Sequence, residues 1–198
     1  MKQLLLICAV VALVGCWKKE APKGGIRVKV QRSTPYQELP KAAVGKLITN
    51  PIVEEAIRKQ LKKPLSKLTE ADLEKLEYLK LLDNKLTDVK GLENLTQLTY
   101  LDIRSNQLTS VKGLEKLTKL TYLNLRHNKL TDVKGLKDLT QLEKLYLEFN
   151  QLTDVKGLEK LTKLTTLNLY SNPVLTKAQI AELQKALPKC KIVSNPTK

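Results

Sequence analysis

The chain has 198 residues, with 35 Lys and Arg against 20 Asp and Glu, for a formal net charge of +15. Two thirds of that excess lies in segments 17–49 and 176–198, and no basic stripe interleaved with aromatics appears, which argues against nucleic acid as a partner. One histidine, three cysteines and no Gly-rich phosphate loop leave no metal site, cofactor site or nucleophile triad to assemble, so an enzyme is not expected.

Residues 1–15 form a separate unit. Lys2 is a short basic start, and Leu4 to Val14 is an unbroken apolar run of eleven residues. A bilayer span needs roughly 20 apolar residues, so the run fits the core of a secretory signal peptide. It ends in Leu13-Val14-Gly15-Cys16, which resembles the lipobox of bacterial lipoproteins. That resemblance implies cleavage before Cys16, acylation of its thiol, and a chain anchored by lipid to a membrane of the bacterial cell envelope. The alternative is an ordinary secreted protein with an incidental cysteine. Two or more acyl chains anchor stably, since each buried methylene contributes about 0.8 kcal/mol. Trp17, where some inner-membrane lipoproteins carry Asp, favours an outer membrane in a host that has one.

Segment 16–49 reads as the lipidated cysteine followed by a basic linker, with Pro22, Gly24, Gly25, Pro35 and Pro40 and few large apolar residues. Its Lys18, Lys19, Lys23, Arg27, Lys29 and Arg32 suit an anionic membrane surface or simple solvation. Cys8 leaves with the signal, so a lipidated chain keeps only Cys190 as a thiol, and its stability must come from packing.

In segment 50–75, Ile52, Ala56, Ile57 and Leu61 lie at helical spacing, and Pro64 breaks the run. Thr69 and Asp72 then approximate a capping box for a second short helix.

Residues 76–175 hold five copies of a 22-residue repeat. Asn84, Asn106, Asn128, Asn150 and Asn172 mark its register, each preceded by L-x-x-L-x-[LI]-x-x and mostly followed by x-L-T-[DS]-V-K-G-L. In one copy Leu101 and Ile103 alternate with Tyr100, Asp102 and Arg104, the period of a short strand with one buried face. Asn106 closes the turn, where its amide can satisfy backbone groups. Leu108, Val111, Leu114 and Leu117 follow at three-residue spacing, which suits a 3₁₀-like return. Gly91, Gly113, Gly135 and Gly157 recur there at one phase, marking a conformation or close approach that a side chain would hinder. A period of 20 to 29 residues with this leucine spacing is the signature of a leucine-rich repeat, whose copies bury their apolar faces only by stacking.

The phrase after the asparagine is similar to that of the bacterial internalin family, and segment 50–76 resembles the helical cap of such proteins. The resemblance covers residues 50–194. It implies an α/β leucine-rich repeat solenoid with short parallel strands on its concave face, a 3₁₀ or irregular convex side, and helical N- and C-terminal caps. Internalins typically attach to a cell wall at their C-terminus and continue into further domains, whereas this chain carries an N-terminal lipobox and stops. The family's host-receptor binding is therefore not carried over.

In the closing segment 176–194, Thr176 is placed to cap a helix whose Ile180, Leu183, Ala186 and Leu187 share a face. Pro188 stops it, and a half-buried strand around Cys190 and Ile192 closes the sheet. Residues 195–198 are a tail.

Strands about 4.8 Å apart stack residues 22 apart into columns. The outward columns read Tyr78, Tyr100, Tyr122, Lys144, Thr166; then Lys80, Asp102, Asn124, Tyr146, Asn168; then Leu82, Arg104, Arg126, Glu148, Tyr170. Asp83, Ser105, His127, Phe149 and Ser171 stand at the strand ends. Five of six tyrosines, the one Phe and the one His share this face, and aromatic, Arg-bearing surfaces are typical of interface centres. The expected partner-binding set is Tyr78, Tyr100, Asp102, Arg104, Tyr122, Asn124, Arg126, His127, Lys144, Tyr146, Glu148, Phe149 and Tyr170, engaging a protein as a monomer. Three other readings stay open: tyrosines that only brace the sheet, an envelope polysaccharide stacked on the ladder, and a polyanion held by the basic linker. The convex Lys90, Lys112, Lys134 and Lys156, beside Asp88, Asp132 and Asp154, read as a solvated, charge-balanced face.

Overall fold

The computed structural model describes residues 48–195. The signal segment, Cys16 and nearly all of the basic linker lie outside the described residues.

Helix α1 (Pro51–Gln60) starts at Asn50, whose side chain accepts from the N–H groups of Ile52 and Val53, with Pro51 in the first helical position. Pro is tolerated there because its missing N–H would have no intrahelical partner. Val53 and Ile57 are buried, while Ile52, Ala56 and Leu61 are only partly covered. The chain joins the core earlier than expected: Ile48, read from sequence as the end of a linker, is buried. Helix α2 (Glu70–Leu73) has the expected capping box between Thr69 and Asp72. Lys63 adds a bond to Asp72 at 2.6 Å. That ammonium, then the Thr69 hydroxyl and N–H, hold the Asp72 carboxyl at about 2.

Each repeat contributes one three-residue strand: β1 (Tyr78–Lys80), β2 (Tyr100–Asp102), β3 (Tyr122–Asn124), β4 (Lys144–Tyr146) and β5 (Thr166–Asn168). With β6 (Lys191–Val193) they form one parallel sheet in sequential order. Pairing is in the 22-residue register, Tyr78 with Tyr100, Tyr100 with Tyr122 and Tyr122 with Lys144. Between strands, each return is built from successive i to i+3 bonds. Leu114, Leu117 and Leu120 N–H groups donate to Val111, Leu114 and Leu117 carbonyls, so the three-residue leucine spacing and the hydrogen bonding share one period. The repeat leucines are almost all fully buried, and truncating one to Ala should cost about 2 to 5 kcal/mol.

The glycines of the returns differ in a way the repeat phrase did not show. Gly91, Gly113 and Gly157 have φ of +90°, +109° and +99°, and each donates its N–H at 2.6 Å to a Glu two residues on. Gly135 is followed by Lys137 instead of Glu. It lies in a 3₁₀ turn, Lys134–Leu136, without positive φ. The Asp or Ser two residues before the return's lysine also shapes this turn, since Asp88, Ser110, Asp132 and Asp154 accept that lysine's backbone N–H.

Asparagines tie one coil to the next. Asn128 Nδ2 donates to the carbonyls of Ile103, Leu125 and Arg126, and its Oδ1 accepts from Leu108 N–H. Asn106, Asn150 and Asn172 make the same set one repeat along. The Asn84 side chain, with no repeat before it, donates to Leu82 alone among the described residues, while its backbone N–H donates to Asn106 Oδ1. The residue just before each asparagine, from Asp83 to Ser171, is left-handed, with φ between +52° and +56°.

Helix α3 (Lys177–Ala186) carries a capping box of Thr176 with Gln179. Leu183 and Leu187 are buried and Ile180 partly so, but Ala186, expected on the same face, is exposed. The helix turns at Leu187 and leaves its last turn only partly covered. Cys190 is buried and unbridged, and burial pushes its thiol above the ordinary value.

Replacing Asn128 with Ala leaves the buried Leu108 N–H without its acceptor, while the Ile103, Leu125 and Arg126 carbonyls keep Asn106, Asn150 and Ser105 as donors, and should destabilise the fold by about 1 to 3 kcal/mol in urea titration. The same change at Asn84 should cost under about 1 kcal/mol.

Candidate functional site

The face of the sheet opposite the leucine core carries the aromatic columns. Tyr78, Tyr100 and Tyr122 form a stacked ladder, with centroids 4.5 Å apart at 23° and then 4.2 Å apart at 7°. Strand register places these rings one above the next, because the same position on adjacent strands is separated by the strand spacing. Lys144 interrupts the column, and Tyr146, two residues on, tilts back to Tyr122 at 5.4 Å and 43°. Both faces of the Tyr100 ring are thus occupied by neighbours. The ladder offers edges and hydroxyls outward.

A second cluster gathers at the strand ends. His127 stacks on Phe149 at 4.3 Å and 13°, Tyr170 meets Phe149 edge-on at 5.9 Å, and Arg126 lies 5.2 Å over the Phe149 ring. His127 and Phe149 both occupy the left-handed position before an asparagine, which turns them out of the strand. Phe149 and Tyr170 remain 38% and 47% exposed, as the exposed aromatic rings among the described residues.

The polar members of the expected set divide. Arg104, Arg126, His127 and Lys144 are exposed. Asp102, Asn124 and Glu148, read from sequence as surface positions of the same columns, are buried, with 1%, 5% and 7% exposure. Strand alternation gives the face a side chain points to but not how far it is covered. Asp102 accepts the backbone N–H of Arg104 at 3.3 Å, with the Arg104 guanidinium 3.8 Å away. Burial pushes its carboxyl up, and those Arg104 contacts pull it back. Glu148 accepts from Asn168 Nδ2 at 2.8 Å through one oxygen, while the other has no partner. Asn168 and Lys80 stood in the columns outside the expected set. The structure brings both in, Lys80 lying 5.2 Å over Tyr78, and Tyr78 raises its ammonium above the ordinary value.

No group of three or more His, Cys, Asp or Glu that could hold a metal ion occurs among the described residues. A cleft between α3 and the last return, lined by Val155, Leu183 and Ala186 with Glu159 and Glu182, contains no His, Cys or Ser.

The family of leucine-rich repeats, in its two-copy form, matches residues 74–116, 96–138 and 140–185. Among solved structures, an internalin from Listeria monocytogenes superposes with a TM-score of 0.71 at 30% identity, covering 78% of this chain and 45% of that one. Internalin C2 from the same organism gives 0.59 at 26% identity, covering 78% and 77%. A leucine-rich repeat protein from Leptospira interrogans gives 0.57 at 31% identity, covering 65% and 34%. The chain therefore spans less than half the length of the first of these. No curated protein matches it.

Burial first, then neighbouring phenols, raise the Tyr100 phenol well above its ordinary 10.0, and burial raises Tyr146 in the same direction. A raised folded value stabilises below the unfolded value and is lost as pH rises through the folded one. Unfolding free energy should therefore decline from about pH 10 upward, and Tyr100→Phe should flatten that decline in denaturant titrations between about pH 9 and about pH 11.

Proposed function

Since the chain belongs to the leucine-rich repeat family, whose pattern matches residues 74–138 and 140–185, we propose that it is a binding module that recognises a protein through the outer face of its sheet. The repeats are the structural part of that statement, and an internalin-like fold is consistent with protein recognition. The observation that carries the site is the cluster of Arg126, His127, Phe149 and Tyr170, which combines exposed aromatic area with an arginine. Tyr, Phe and Arg in such a patch supply large contact area at little rotamer cost.

The ladder geometry favours protein over polysaccharide. A sugar ring stacks on an exposed aromatic face, and the faces between Tyr78, Tyr100 and Tyr122 are covered by one another. Edges and hydroxyls suit the mixed apolar and polar surface of a protein. Within this reading α1 and α2 serve as the N-terminal cap of the array, and the module acts as a monomer without catalysis of its own.

We further propose that the module is held at the bacterial cell envelope by lipid on Cys16, in an outer membrane where the host has one. The motif Leu13-Val14-Gly15-Cys16 after the apolar run supports this, and no helix among the described residues is long and apolar enough to cross a membrane.

Crosslinking in native envelopes should capture a protein with the wild-type chain, and Phe149→Ala/Tyr170→Ala should weaken that capture by about 10- to 100-fold. Lys112→Ala, at an exposed position on the convex side, should leave it nearly unchanged. Equal capture by wild type and the double variant would overturn the proposed face, whereas glycan binding abolished by the double variant would favour the polysaccharide reading. For the anchor, detergent phase partitioning should move Cys16→Ser from the detergent to the aqueous phase. Retention of that variant in detergent would contradict lipidation.

A further inference from the structure

Charge on the three strand columns is sorted by depth. The exposed charged members are all basic, Lys80, Arg104, Arg126 and Lys144, while the two acids of the same columns, Asp102 and Glu148, are buried. A partner approaching the three columns meets the cations ahead of these two acids, and the exposed Asp83 stands beyond them at the strand end of the first coil. Arg104 and Arg126 also stand side by side: the β2–β3 pairing that sets Asp102 opposite Asn124 carries on to these residues, where Ser105 N–H donates to Arg126 O. No exposed acid of the columns lies between them. Arg104 reaches back only to Asp102, at 3.8 Å, and Arg126 is parked over Phe149.

Two arginine side chains rooted on neighbouring coils each carry a planar fork of N–H donors that matches a carboxylate and can turn toward one held between them. Next to them, His127 covers one face of Phe149 and Arg126 lies over the ring, so Phe149 offers its edge, beside the exposed Tyr170. An edge accommodates an aliphatic or aromatic side chain better than the flat face of a sugar.

We infer that the protein partner docks an acidic segment here, with an Asp or Glu carboxylate received jointly by Arg104 and Arg126 and an adjacent apolar side chain packed against Phe149 and Tyr170. This deepens the protein-binding reading and rests on it. Opposite charge across the contact sets partner choice, because a basic segment in the same place would meet four exposed cations.

Selection of random dodecapeptides displayed on phage against the immobilised full chain tests the inference. The basic segment 17–49 is identical in every variant, so differences between variants report on the sheet. Wild type should select peptides rich in Asp and Glu next to apolar or aromatic residues, and Arg104→Glu/Arg126→Glu should bind those peptides at least about tenfold more weakly. The same variant should itself select Lys- and Arg-rich peptides, an inversion that a merely structural role for the arginines would not produce. Circular dichroism identical to wild type confirms that the variant is folded, and if it is not, Arg104→Gln/Arg126→Gln should show the same loss of acidic peptides without the inversion. Peptides that depend on Phe149 and Tyr170 but show no acidic enrichment would overturn the acidic partner and leave the protein-binding face standing. If no selected peptide depends on the face, both readings fail. Heparin or phosphatidylglycerol vesicles retained by wild type and released by the charge-reversed variant would then assign the arginines to a polyanion.

Discussion

The asparagine side chain at the end of each strand is the interaction on which the rest depends. One amide bonds the carbonyls of its own coil and of the coil before it, and accepts an N–H from that preceding coil. The accepted N–H depends on that amide, and leaving it buried and unpaired would cost about 1 to 3 kcal/mol, while the carbonyls are shared with the next asparagine or a strand-end N–H. The bonds close only if coils are 22 residues apart, so they fix strand register, the stacking of leucines behind the sheet and the stacking of tyrosines in front of it.

That constraint also shapes the candidate site. To bring the amide under the strand end, the residue before it takes a left-handed conformation, which costs a non-glycine residue about 1 to 2 kcal/mol. Asp83, Ser105, His127, Phe149 and Ser171 all accept this, and none is β-branched, the class for which the conformation is least tolerable. The same turn throws the side chain outward. His127 and Phe149 are exposed because the scaffold needs their backbone bent, and the array thereby presents its aromatic surface from rigid positions. Such preorganisation lowers the ordering cost of binding.

Local devices were legible where one residue's chemistry suffices. The capping box at Thr69–Asp72, the cap at Thr176 and the i to i+3 returns follow from spacing within a dozen residues, and the strand columns follow from the 22-residue period. Reading failed where the outcome depends on a neighbour in another coil. Asp102, Asn124 and Glu148 alternate outward like true surface residues but are buried. Ala186 has helical spacing with Leu183, but nothing covers it.

By itself the sequence determined the period, the inward leucines, the register asparagines and the fact that the aromatic residues share a face, because each is a consequence of repetition and of the two-residue strand period. Tertiary structure alone decided which of those outward residues a partner can touch. Ring stacking closed the faces of the tyrosine ladder, Arg126 settled on Phe149, and Asp102 and Glu148 sank while the bases of the strand columns stayed exposed. These outcomes depend on side-chain length and on the neighbour 22 residues away, and a linear pattern specifies the neighbour's identity but not how the two pack.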